Sequence, residues 1–176
     1  MFILKFSMMS KFILNVSLNG YPTKPTEVGG ISFIPQLMTI QDLETHVRKG
    51  RVFCYEFQSS GPCITQRDRR IDKFKNTSVL FFDIDKVKIP MQEYVKNLPF
   101  KPNLSYTSYS NGKNGRFSYR LVYVFHDSFD SVAEFERAYN MIAAVNGMES
   151  HYDDELGCNV GFDKRPANQQ YYRKFT

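Results

Sequence analysis

The sequence contains no tryptophan and only three cysteines, Cys54, Cys63 and Cys158, with no Cys-x-x-Cys pair among them. An odd, scattered set of thiols argues against a disulfide framework or a four-cysteine zinc site and for a reducing, cytoplasmic compartment. Histidine is equally scarce: His46, His126 and His151 share no metal-ligand spacing. Long apolar runs are missing as well. Residues 1–16 are the nearest approach, but Lys5, Ser7, Ser10 and Lys11 interrupt them. Such a stretch is too short and broken for a membrane span or a signal core, so it reads as one or two buried strands in a protein without a membrane partner. No Gly-x-x-x-x-Gly-Lys-Ser/Thr loop is present, which rejects a P-loop.

What the chain does have is size, rings and positive charge. Its 176 residues suit a single domain, read as a motif-bearing core over 50–173 with residues 1–49 as an extension packed on it. Sixteen Phe and eleven Tyr can fill a core without covalent staples. Lys and Arg number 23 against 18 acids, a formal charge of +5 that tilts the choice of partner toward a polyanion.

Local patterns outline the elements. Residues 17–38, with Gly20, Pro22 and the Gly29-Gly30 pair, read as a surface connection. Thr39 can cap a helix whose inner face is Ile40, Leu43 and Val47, with Gly50 as its stop. Residues 51–57 are strand-like. Residues 78–85, Ser-Val-Leu-Phe-Phe-Asp-Ile-Asp, form the most apolar short run and predict a central strand buried on both faces. Pro90 can open a short helix that ends before Pro99. Residues 103–125 read as a hairpin turned by two Asn-Gly pairs, 111–112 and 114–115. Ser131 and Glu134 make a capping box for the longest helix, closed by Gly147, and residues 160–163 are again strand-like. This order predicts an α+β fold: a mostly antiparallel, RRM-like or palm-like sheet with flanking helices.

Asp83 and Asp85 end the apolar run. Side chains at i and i+2 of a strand share a face, so both carboxylates project together. Two like charges that close are tolerated when a cation lies between them, and Mg²⁺ or Mn²⁺ takes oxygen ligands of this kind. A third acid at the end of a second apolar strand, Asp163, would complete a set for two-metal phosphoryl transfer. Asp153 and Asp154 lie in polar surroundings and read as solvated.

Basic residues and rings flank these acids in sequence. Arg67, Arg69, Arg70, Lys73 and Lys75 outnumber Asp68 and Asp72, while Lys113, Arg116 and Arg120 have no neighbouring acid, nor do Lys164, Arg165, Arg173 and Lys174. Tyr106, Tyr109, Tyr119, Tyr171 and Tyr172 lie among them. Cations that follow phosphates and rings that stack on bases suit a nucleotide or a nucleic-acid strand, with Arg67, Arg69, Arg70, Tyr171 and Tyr172 as the candidate strand contacts.

The run 79–85 resembles motif I of the archaeo-eukaryotic primase superfamily, an apolar strand ending in Asp-x-Asp. Ser118-Tyr119-Arg120 stands where that family carries Ser-x-His, and Phe162-Asp163 where it carries the third metal-binding acid. The likeness is to the small primase–polymerase domains of phages, plasmids and other mobile elements. It implies that Asp83, Asp85 and Asp163 are catalytic and hold two Mg²⁺ or Mn²⁺ ions. It further implies that Ser118 and Arg120, with Lys113, Arg116 and Arg165 nearby, contact a nucleoside triphosphate. A single-stranded DNA template, and a replicative helicase or helical accessory domain, would be the partners. Arg120 replaces the family's histidine; arginine binds phosphate bidentately but does not exchange protons near neutrality.

Other readings compete. Residues 83–87 also fit the Asp-x-Asp-x-Thr/Val pattern of haloacid-dehalogenase-like phosphatases, with Asp83 as nucleophile, although those have doubly wound parallel folds. A diguanylate-cyclase-like palm would need an acidic hairpin tip, which is missing here. An RRM-like module could bind nucleic acid without catalysis, and would have no need of Asp83 and Asp85.

Overall fold

A computed structural model of the chain describes residues 11–21 and 30–164. β1 (Phe12–Ser17) pairs antiparallel with β2 (Phe33–Met38), register Phe12↔Met38 to Ser17↔Phe33. Residues 17–38 are therefore not merely a surface connection. Ile31, Phe33 and Met38 are buried, and Pro35 is tolerated because β2 is an edge strand. Helix α1 (Ile40–Arg48) begins at Thr39, whose Oγ1 accepts the Asp42 N–H while the Asp42 carboxylate accepts the Thr39 N–H; Leu43 and Val47 are its buried residues. β3 (Phe53–Cys54) then pairs with the free side of β1, so the described part of the N-terminal segment and the start of the core share one three-stranded sheet.

A larger sheet follows. After β4 (Glu56–Phe57) come β5 (Phe74–Val87), α2 (Met91–Asn97), β6 (Leu104–Thr107), β7 (Phe117–Phe129), α3 (Val132–Val145), β8 (Ser150–Asp153) and β9 (Cys158–Asp163). Its order is β6-β7-β5-β9-β8, with β4 also paired to β5. Every strand pair among the described residues is antiparallel, which establishes an α+β fold and is at odds with a doubly wound parallel sheet. No described helix is long and apolar enough to cross a membrane.

Helix and hairpin signals act where the sequence placed them. Ser131 Oγ accepts the Glu134 N–H and Glu134 Oε2 accepts the Asp130 N–H, opening α3. The β6–β7 connection turns through Gly112 at φ 82° and Asn114 at φ 52°.

The period of two along β5 divides its side chains. Leu80, Phe82 and Ile84 face the helices: Phe82 stacks on Tyr139 of α3 with centroids 4.2 Å apart, and Tyr119, opposite Ile84, meets Tyr94 of α2 at 5.4 Å. On the other face Phe81 meets Phe53 of the small sheet and Tyr55 beside it. Asp83 and Asp85 continue that second face beyond its apolar half. Truncating a ring packed on both sides leaves a cavity, so Phe82→Ala should lower stability by about 3–5 kcal/mol, read from urea unfolding followed by circular dichroism.

Candidate functional site

The sheet assembles the three acids. On β9, Asp163 lies directly opposite Asp83, Phe162 opposite Ile84 and Gly161 opposite Asp85. Directly opposed residues share a face with Cβ atoms about 5 Å apart, so Asp83, Asp85 and Asp163 emerge together from neighbouring central strands. Gly161 is needed for this arrangement: its φ is 94°, and a Cβ there would stand 2.5 Å from the Glu149 carbonyl oxygen.

On the other side of β5, Arg120 of β7 is the direct partner of Asp83, and its Nε–H donates to Asp83 Oδ1. Both side chains are buried, at 8% and 3% exposure. Burial alone would lower the guanidinium's pKa, but the attraction of Asp83, followed by that of Tyr106 opposite it on β6, outweighs this and raises it. Asp83 is thus tolerated on a dry strand because a cation from the adjacent strand neutralises it. The expected divalent ion is not the only agent able to do so.

Carboxylate oxygens are hard donors, so the chemistry of the three acids fits Mg²⁺ or Mn²⁺. Among the described residues, however, no group of three or more His, Cys, Asp or Glu side chains is arranged to hold a metal. Asp83 is engaged with Arg120 instead.

Ser118 is fully buried, and its Oγ accepts the Lys86 N–H at 3.0 Å. Lys86 sits at φ 59°, where β5 gains one residue on β7 between Ile84 and Val87. Ser118 therefore holds the bulge that follows the acids. The bulge brings Lys86 Nζ to 3.1 Å from Cys158 Sγ, and this contact, then the charges of Asp85 and Asp163, raises the lysine's pKa. Neither Lys86 nor Cys158 stood out in the sequence, because a bulge leaves no local signature and the two are 72 positions apart.

The remaining basic candidates divide. Arg116 is buried and pairs with Asp153 and Glu155, each at 3.0 Å, tying the hairpin to the β8–β9 turn. Asp153, expected in solvent, is accordingly half-buried and paired, its side chain 10% exposed. Lys113 is exposed at the hairpin tip, over the ring of Tyr109. Arg67 is exposed and Arg70 pairs with Asp72, whereas Arg69 is buried with its guanidinium over the Phe33 ring, inside the fold instead of on a surface for phosphates. Lys73 and Lys75 pair with Asp68 and Glu56. Arg165, Tyr171 and Tyr172 lie outside the described residues.

Set against known proteins, the chain matches no family model, no curated protein and no solved structure.

Two measurements test this electrostatic reading. Asp83→Ala removes the carboxylate that accepts from a buried guanidinium and should cost about 3–5 kcal/mol in urea unfolding, while Asp83→Leu combined with Arg120→Leu should recover much of the loss. Asp68 accepts from the Thr65 hydroxyl and N–H and then from Lys73, which holds its carboxyl down at about 2. Its folded pKa lies below the unfolded value, so its stabilisation is complete above pH about 4 and disappears as pH falls through about 2. Asp68→Asn should flatten the acid limb of a stability–pH curve across that window.

Proposed function

We propose that the chain is a nucleotidyltransferase of the primase–polymerase kind, synthesising or extending primers on a single-stranded DNA template in the replication of a phage or other mobile element. The observation that carries this reading is the register placing Asp163 opposite Asp83, with Asp85 two residues along the same strand. Acids from widely separated parts of the chain share one face of the sheet, as the motif resemblance requires. The order β6-β7-β5-β9, with α2 and α3 on the opposite face, is compatible with a split βαβ plan and supports the same reading.

In this reading Asp83, Asp85 and Asp163 hold Mg²⁺ or Mn²⁺. The bound ions would supply charge neutralisation at the triphosphate and at the attacking and leaving oxygens. Arg120, protonated at every accessible pH, contributes orientation and charge at phosphate and no proton transfer. Ser118 acts by holding the bulge after Asp85 in place. The exposed Lys113 and Arg67 are suited to meet a polyanion approaching from solvent.

The buried Asp83–Arg120 pair favours a second reading, a palm-like module that binds nucleic acid without catalysis, since it already neutralises one of the acids. One assay separates the two. The full chain is incubated with single-stranded template, labelled ribo- or deoxynucleotides, and Mg²⁺ or Mn²⁺. Asp85→Asn and Asp163→Asn are the informative variants, because both spare the buried ion pair. Incorporation that falls by about a hundredfold or more in each is the expected result. Incorporation unchanged in either variant removes that acid from the mechanism. No incorporation under any condition, with template binding intact by fluorescence anisotropy, establishes the binding module.

A further inference from the structure

The Asp83–Arg120 contact implies more than a stabilising pair. The two residues are direct cross-strand partners on the central strands, and Tyr106 of β6 lies opposite Arg120 on its other side. Fully desolvated, neither charge can be left alone: each needs a counter-charge at all times. Asp83 Oδ1 accepts the Arg120 Nε–H, and a divalent cation would coordinate the same carboxylate. The guanidinium and the cation are therefore competitors for one acid.

We propose that Arg120 is the resident counterion of Asp83 and determines the affinity of the acid face for divalent cations, through an exchange of partners in which the cation takes Asp83 and a triphosphate takes the released guanidinium. This rests on the reading of Asp83, Asp85 and Asp163 as cation ligands. Asp85 and Asp163, both half-buried, are nearer solvent than Asp83, so a cation meets them first, and Asp83 joins once a phosphate satisfies Arg120. A cation and a nucleotide then promote one another's binding, because each supplies the partner that the other removes.

Mn²⁺ alone is the probe, added to the full chain while thermal unfolding and the Mn²⁺ electron paramagnetic resonance signal are followed. Arg120→Met leaves Asp83 without its counterion, so Mn²⁺ should bind roughly tenfold or more tightly than to wild type and should raise the variant's melting temperature by more. Arg120→Lys, which retains the charge without the planar fork, should fall between the two and serves if Arg120→Met does not fold. Mn²⁺ binding that is unchanged or weaker in both variants overturns the proposal, since it would mean that Arg120 does not compete or that it positions Asp83 for the ion. Asp85→Asn and Asp163→Asn separate the two levels. If they abolish Mn²⁺ binding while the Arg120 variants do not strengthen it, only the competition fails. If wild type and every variant ignore Mn²⁺, the cation reading fails with it.

Discussion

A carboxylate on one central strand and a guanidinium on the next, both withdrawn from water, constrain the middle of this protein. Asp83 and Arg120 stand directly opposite each other, so a slip of one residue between β5 and β7 would put one of the two charges on the helix-covered face, among Phe82, Tyr123 and Tyr139, and separate it from the other. The polar pair thus fixes the register that the apolar residues around it could satisfy in more than one way. That register decides which end of the sheet carries the acids.

One face of the large sheet is consequently divided along its length. Its apolar half, with Phe81, is covered by Phe53 and Tyr55, so the three-stranded sheet and the central strand form one core. Its polar half carries Asp83, Asp85 and Asp163 from β5 and β9, with Ser118 and Arg120 from β7. Helices α2 and α3 occupy the opposite face and contribute the rings of Tyr94, Phe135 and Tyr139 to the core. The chemistry therefore stands on strands braced from behind by stacked aromatic side chains, a support well suited to holding carboxylates in place.

Features that depend on neighbours in sequence were readable directly. The Thr39 and Ser131 caps, the Asn-Gly turns and the apolar run before Asp83 each act through contacts within about four residues, and each appears at its expected place. Features made by distant residues were not. β2 was hidden by the turn-forming residues around it, since its stability comes from pairing with β1. β8 was hidden by an acidic sequence whose Asp153 is neutralised by Arg116 from the β6–β7 connection. Local charge likewise misrepresented the stretch around residues 67–75, where Asp72, Asp68 and Glu56 neutralise Arg70, Lys73 and Lys75, and Arg69 is buried over the Phe33 ring.

The amino-acid order alone determined that Asp83 and Asp85 share a face at the end of an apolar strand, because alternation is a property of any extended chain. It also picked out Asp163 as an acid at the end of a second such strand. Only the tertiary structure decided that β9 lies beside β5 with Asp163 opposite Asp83, and that Arg120 of β7 meets the buried acid. Strand neighbours are chosen by packing and hydrogen bonding across the whole sheet, and a buried charge must take whichever counter-charge that choice brings within reach.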